Sequence, residues 1–346
     1  MSLIWNNKIS VSYFGEPHDS VIGVTINNLP SGEYINVDEI SRFLERILPK
    51  SMGIRKNRIS SPRIISGIHK EYTTGAPLCA MIQNNDIQEE QKQDISPQIR
   101  IGHADYTGTV RYKGFNDVKK SAVYSELFVI PLCFAGAVCA QILERRGIYT
   151  GGHILQIHNI KDNPYDPVNI SRDAVLSIRF KDFPVINDRM GWLMLEDISK
   201  AGEADETLGG IIECASVNVP CGVGSPVFDG LKNNIAQLVF GIPEISGLEF
   251  GAGFSASNMI GSQNTDRFYI NEKGYTLTKT NNHGGIIGGI SSGMPITLKV
   301  SFCPSDKDAK GIFSTCFVPS AVPCVESAVN IALLSNMIDY PNFCLR

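Results

Sequence analysis

The stretch Leu127-Phe128-Val129-Ile130-Pro131-Leu132-Cys133-Phe134-Ala135-Gly136-Ala137-Val138-Cys139-Ala140 is the longest apolar run in the chain, and its reading decides the fold. At 14 residues, with a proline inside it, it is too short to span a bilayer and reads as the middle of a core helix from Glu126 to Arg146, kinked or started late by Pro131. Short strands surround it. Ile4 to Tyr13 and Val21 to Ile26 flank a polar, glycine-containing turn, and Arg63 to Ile68 and Leu78 to Gln83 are joined through Thr73-Thr74-Gly75. Asn36, with Glu39 three positions on, starts a helix whose Ile40, Phe43, Leu44, Ile47 and Leu48 share one face before Pro49. Gly209 to Ile212 and Gln237 to Phe240 are further short apolar elements, and Val325 to Ile338 reads as a closing amphipathic helix. Helices and strands are interspersed without a βαβ period, and no G-x-G-x-x-G follows a strand, which disfavours a dinucleotide-binding doubly wound sheet. No Pro/Ser-rich linker divides the chain. The expectation is an α+β fold with residues 1–346 as a single domain.

Composition narrows the function. With 43% hydrophobic and 19% charged residues in 346, the chain has ample apolar surface for a large core, which excludes disorder. Thirty-one basic residues stand against 35 acidic ones, a net charge of −4, so there is no general footprint for nucleic acid and an anionic ligand must be met by a local cluster. The nine cysteines form no C-x-x-C pair and mostly sit in apolar runs, which points to a reduced, cytoplasmic protein without zinc or another metal. Met1 to Ile9 lacks the basic head and apolar core of a secretory signal, and no membrane association is expected.

Two of the six histidines stand out. His18 lies in Phe14-Gly15-Glu16-Pro17-His18-Asp19, and His103 lies in Arg100-Ile101-Gly102-His103-Ala104-Asp105-Tyr106. Each lies in a glycine-containing turn and has a carboxylate nearby, the arrangement in which an imidazole can exchange protons near neutral pH. His69, His153, His158 and His283 read as structural, although Gly151-Gly152-His153 and His283-Gly284-Gly285 are loops that a ligand can approach closely. Lys50 to Pro62 is a basic connection carrying Lys50, Arg55, Lys56 and Arg58. The segment Asn281 to Gly293 holds two glycine pairs, Gly284-Gly285 and Gly288-Gly289, that let backbone crowd round a cofactor or permit close packing of strands.

Taken in order, these segments resemble the chorismate synthase family along almost the whole chain. Gly15-Glu16-Pro17-His18-Asp19 is similar to that family's G-E-S-H-G. The likeness continues through Leu29-Pro30-Ser31-Gly32, Thr73-Thr74-Gly75-Ala76-Pro77, Gly102-His103-Ala104-Asp105-Tyr106, Glu206-Thr207-Leu208-Gly209-Gly210, Pro226-Val227-Phe228-Asp229, Gly261 to Asp266 and Gly284 to Gly293. The resemblance implies a β-α-β sandwich with internal pseudo-symmetry, usually assembled as a homotetramer. It also implies 1,4-elimination of phosphate from 5-enolpyruvylshikimate 3-phosphate to give chorismate, with reduced FMN required and no net redox change. His18 and His103 would be the catalytic proton relay. Pro243, Glu244, Gly288, Pro304, Ser305 and Lys307 would bind the cofactor, and Lys119, Lys120, Arg55, Lys56 and Arg58 the phosphorylated substrate.

The sequence departs from the family pattern where anions are held. The family's arginine-containing G-G-G-R-S-S-A-R-E aligns with Lys119-Lys120-Ser121-Ala122-Val123-Tyr124-Ser125-Glu126, and its G-R-H-D-P-C with Gly311-Ile312-Phe313-Ser314-Thr315-Cys316. A lysine offers a point charge where an arginine offers a bidentate fork. The alternative expectation is therefore an impaired chorismate synthase-like paralogue with a binding or structural role.

Overall fold

Two five-stranded sheets enclose a layer of helices in the computed structural model, which describes residues 3–15, 21–53, 60–83, 104–115, 126–305 and 315–340. The first half contributes β1 (Ile4–Asn6), β2 (Ser10–Gly15), β3 (Val21–Asn27), helix α1 (Val37–Glu45), β4 (Arg63–Ser66), a small hairpin of β5 (Ile68–His69) and β6 (Tyr72–Thr73), β7 (Leu78–Gln83), α2 (Asp105–Arg111) and α3 (Val129–Arg145). The second half runs β8 (Tyr149–Ile157), β9 (Ile160–Lys161), α4 (Arg172–Arg179), α5 (Asp188–Glu203), β10 (Gly210–Val217), α6 (Leu231–Val239), β11 (Ile245–Phe250), α7 (Gly261–Asn264), a hairpin of β12 (Phe268–Ile270) and β13 (Thr276–Thr278), a second hairpin of β14 (Ile286–Ile287) and β15 (Ile290–Ser291), β16 (Ile296–Phe302) and α8 (Val318–Met337).

The sheet orders are β1-β2-β3-β7-β4 and β9-β8-β10-β16-β11. Apart from the edge strands β1 and β9, the strands correspond one for one, and each half ends in a long buried helix. Asn28-Leu29-Pro30-Ser31-Gly32 after β3 is matched by Asn218-Val219-Pro220-Cys221-Gly222 after β10, with Asn28 and Asn218 both at φ +63°. The pseudo-symmetry is thus visible in topology and in a repeated turn.

Local physics explains the elements. The Asn36 side chain accepts hydrogen bonds from the backbone N–H groups of Asp38 and Glu39, capping α1, while Ile40, Phe43 and Leu44 face the core. Pro131 falls in the first turn of α3, where its missing N–H costs nothing, so the helix starts late and is not broken. The closing helix differs from the expectation of an amphipathic element: every residue from Val318 to Met337 is buried. It packs against α3 and α6 and against β8 and β10, so it has no solvent face. Among the described residues it is the one helix long and apolar enough to cross a membrane, and all of it lies within the core.

The two central helices run parallel. Cys133 Sγ lies 3.7 Å from Cys324 Sγ, and one turn later Gly136 faces Ser327 so closely that a Cβ would sit 2.4 Å from the Ser327 Cα. That contact requires the glycine. The eight described cysteines are all free thiols.

Candidate active site

The parallel run of α3 and α8 puts their N-terminal ends on one side of the molecule, and the chain segments of interest leave the fold there. In the first half, Gly15 pairs with Ile22 and Val21 with Gln83, so β2, β3 and β7 share this edge. The Ser60 N–H reaches the Gln83 carbonyl at 3.5 Å, and the Tyr13 ring stacks 6.4 Å from Phe128 at the start of α3. In the second half, β16 ends at Phe302, whose ring lies 6.0 Å from Phe317 at the start of α8. Thr207 and Leu208 then tie down Ser305 and Thr315 through bonds of 2.5 and 2.8 Å to their carbonyls. Two parallel helices add their N-terminal partial positive charge at this end, which favours an anionic ligand.

His18, Arg55, Lys56, Arg58, His103, Lys119, Lys120 and Lys307 lie outside the described residues. Each belongs to a segment that leaves or rejoins the described fold at this end: 16–20 between β2 and β3, 54–59 before Ser60, 84–103 after β7, 116–125 before α3 and 306–314 after Ser305.

The remaining sequence-predicted residues separate into two places. Pro243, Glu244, Pro304 and Ser305 gather at the helix N-terminal end. Glu244, in the left-handed region at φ +63°, hydrogen-bonds through its carboxylate to the Ser305 hydroxyl and accepts the Cys303 N–H at 2.9 Å on its carbonyl. Burial pushes the Glu244 carboxyl up, against the opposing pull of the Ser305 bond, which favours the neutral acid next to an anion. Gly288 lies elsewhere, at the tip of the β14–β15 hairpin, beyond the opposite ends of β11 and β16. The six-residue β11 alone spans about 20 Å. In the same hairpin segment, a Cβ on Gly284, Gly285 or Gly289 would meet backbone at 2.5, 2.5 and 2.3 Å, so those glycines serve close packing, while Gly288 meets nothing within 4 Å.

His153 and His283, read from sequence as structural, are both held by carboxylates, but Gly151-Gly152-His153 lies within strand β8 and is not a loop. Asp266 accepts from the Thr280 hydroxyl (2.7 Å), the Asn282 and His283 N–H groups (2.8 and 2.9 Å) and His283 Nδ1 (2.8 Å). This locks the segment before the glycine pair. His153 is fully buried, with Nε2 2.9 Å from Glu213 and Nδ1 3.6 Å from Asp162, an ion-pair distance. Burial alone would lower the His153 pKa, but attraction to Asp162 and Glu213 carries it above the ordinary 6.5. Burial would likewise raise Asp162, yet His153 and the backbone N–H groups of Ile186, Asn163 and Asn187 hold it below 3.8.

The signs give a pH window. The His153 contribution to stability is complete below about 6.5 and is lost as pH rises through its higher folded value. The Asp162 contribution is complete above about 3.8 and is lost as pH falls through its lower folded value. Urea midpoints measured across pH are expected to fall on the alkaline side of about 6.5, and His153→Gln is expected to flatten that limb. An unchanged alkaline limb in the variant would remove His153 as its source.

A family model described as chorismate synthase matches residues 9–338. The chain belongs to the chorismate synthase family. The chorismate synthase of Dehalococcoides mccartyi (strain 195) is 34% identical over 96% of this chain and 96% of its own length, and that of Thermococcus kodakarensis is 31% identical over 95% and 96%. A crystal structure of chorismate synthase superposes with a TM-score of 0.81 at 24% identity, covering 96% of this chain and 92% of that one, and shares its fold. Membership of this lyase family agrees with the α+β sandwich and its two matched halves.

Proposed function

We propose that the protein is a chorismate synthase that eliminates phosphate from 5-enolpyruvylshikimate 3-phosphate to form chorismate, with the reaction carried out at the N-terminal end of α3 and α8. The observation that carries this reading is the near full-length match to relatives named chorismate synthase, at 31–34% identity. It favours the enzyme over the impaired paralogue. The arrangement suits the chemistry: helix N-termini and the basic segments bearing Arg55, Lys56, Arg58, Lys119 and Lys120 hold the phosphate, while His18 and His103 move protons.

Reduced FMN suits this end, where the Ser305 hydroxyl donates to Glu244 and burial pushes the Glu244 carboxyl up, which lessens the negative charge an anionic cofactor would meet. Pro243, Glu244, Pro304, Ser305 and Lys307 would hold it, and when bound it supplies the electron-rich ring that the elimination needs without net redox change. Gly288 could join that site only from another direction. The chain acts as one domain in the cytoplasm, and exposed Phe228, Phe254, Ile270 and Tyr275 are suited to burial in a homotetramer.

The test is an anaerobic assay with reduced FMN and the enolpyruvyl substrate, following chorismate. Turnover of roughly 1 per second or faster is expected. No chorismate above the protein-free control would overturn the reading.

A further inference from the structure

The second sheet carries a row of charges that the proposed reaction does not use. Strand register sets Glu249 of β11 opposite Lys299 of β16, Lys299 opposite Glu213 of β10, and Glu213 opposite His153 of β8. Directly paired residues share a face, so acid, base, acid and imidazole alternate across four strands. A Cβ on Gly152 would point at Val322 of α8, so His153, the next residue, faces away from that helix. Asp162, just past β9, closes the row. Lys299 lies 3.6 Å from Glu249, His153 2.9 Å from Glu213 and 3.6 Å from Asp162, and the row passes from part exposure at Lys299 to full burial at His153.

A separate layer covers the buried end. Residues 163–180, a loop followed by α4, pack Tyr165, Ile170, Val175 and Ile178 on Ala215 and Val217 of β10, a cluster distinct from the main core. Val175 lies so close to β8 that a Cβ on Gly151 would meet it at 2.5 Å. Tyr165 packs edge-on to His153, with ring centroids 4.7 Å apart, and donates its backbone N–H to Glu213 at 2.7 Å. Asp162 accepts the N–H groups of Ile186 and Asn187 at 2.5 and 3.0 Å, so both ends of the layer meet at the second acid of the imidazole. The layer is small, and its Tyr165 hydroxyl and Arg179 Nε are buried without a hydrogen-bond partner, the features of a unit that opens before the sheet beneath it.

Among the described residues, only the His153 imidazolium lies within ion-pair distance of both Asp162 and Glu213. The other groups around it are neutral or committed. Burial pushes the Tyr165 hydroxyl and the Cys214 thiol up, which keeps both uncharged. Arg179 of α4 is held by Glu144 of α3 and the Thr150 carbonyl, Glu326 of α8 is held by Arg46, and Lys161 of β9 is exposed.

We propose that His153 is a proton-operated latch: its imidazolium holds residues 163–180 closed on the sheet, and loss of the proton lets this layer open while β10, β16 and α8 stay folded. Deprotonation leaves two buried carboxylates on either side of a neutral ring, and carboxylates without a counter-charge draw in water that only an opened layer admits. Opening also releases the Asn281 amide, which donates to the Pro167 and Pro295 carbonyls at 2.9 and 2.8 Å, so the change reaches the glycine-rich segment. Burial alone would lower the His153 pKa, but its two acids carry it above 6.5, so the layer is closed below that value and opens as pH rises through the higher folded one. The latch is independent of the reaction the protein performs.

Amide hydrogen exchange of the full chain, followed by mass spectrometry between about pH 6 and pH 9 and corrected for the intrinsic rate at each pH, tests it. Once the proton leaves, peptides from 163–180 are expected to lose protection by up to about tenfold per pH unit, the linkage of one proton, while peptides from β10, β16 and α8 change less than about twofold. His153→Gln is expected to exchange fast in 163–180 already at about pH 6, with no further rise. Glu213→Gln, which leaves the imidazolium a single acid, is expected to move the onset to lower pH. Protection of 163–180 that does not vary with pH, or that falls only together with β10 and α8, overturns the latch. A pH-dependent loss that survives in His153→Gln, or an unshifted onset in Glu213→Gln, overturns it as well.

Discussion

Glu326→Ala is expected to destabilise the fold by about 3–5 kcal/mol, the typical cost of stripping one partner from a buried ion pair. Glu326 is fully buried in the middle of α8 and receives both Arg46 guanidinium arms, at 2.6 and 2.8 Å, together with the Gly152 N–H at 2.9 Å. Burial pushes its carboxyl toward the neutral acid, but Arg46 and then Arg179 draw it below the usual carboxylate range. Alanine would leave Arg46, with only 17% of its side chain exposed, facing a cavity without a counter-charge. Against a total stability of about 5–15 kcal/mol, such a loss is large enough to populate the unfolded state near body temperature. Replacing both partners, as in Glu326→Leu/Arg46→Met, is expected to recover much of the loss because no orphaned charge remains. Urea unfolding of the single and double variants checks this; a single-variant loss under about 1 kcal/mol would mean that the pair carries little.

The elements most readable from sequence were those decided by local chemistry. Asn36 announced the start of α1 because an asparagine side chain can satisfy two of a helix's orphan N–H groups whatever surrounds it. The apolar run from Leu127 announced a buried helix because nothing else absorbs so many apolar side chains in a row. Readings that depended on distant partners fared worse. The expected strand Ile4 to Tyr13 is broken into β1 and β2 where the Asn7 N–H turns to the Ile9 carbonyl and its side chain reaches Asp229 and Asn234, more than 220 positions away. The closing helix reads from sequence as amphipathic, yet its polar residues, Glu326, Ser327, Asn330 and Ser335 among them, are all buried. Glu326 is matched by Arg46, 280 positions earlier, and the Ser327 hydroxyl donates to the Pro323 carbonyl.

The candidate site segments stand out in the sequence one by one, as glycine-containing stretches bearing a histidine or basic residues. What sequence could not supply was the common end of the molecule. That depends on α3 and α8 running parallel, a fact fixed by the Cys133–Cys324 and Gly136–Ser327 contacts. The same geometry divides the predicted cofactor residues, because Glu244 and Ser305 lie at one end of β11 and β16 and Gly288 beyond the other. A glycine-rich stretch reads alike whether it cradles a ligand or lets two backbones touch, and only the close approach of Gly251, Ser225 and Pro295 distinguishes the cases.

His18→Ala and His103→Ala are each expected to lower kcat for chorismate formation by about 10²–10⁴-fold, the usual worth of a positioned acid or base. The elimination must break a C–H bond as the C–O bond to phosphate breaks, so a proton has to move while charge accumulates on the departing group. An imidazole is suited to that task, because its ordinary pKa lies close to neutral. The segment with His18 leaves from the Gly15–Ile22 pair, and the segment with His103 leaves from Gln83, one strand away at the same sheet edge. On the proposed assignment of phosphate binding to the basic segments, KM should change little in either variant, and urea midpoints should match the parent. If the two histidines serve one relay, the double variant should lose much less than the product of the single losses, since breaking either link already interrupts proton transfer. Losses below about fivefold in both single variants, with folding intact, would remove these histidines from the chemistry and return the acid–base role to another group at the same end.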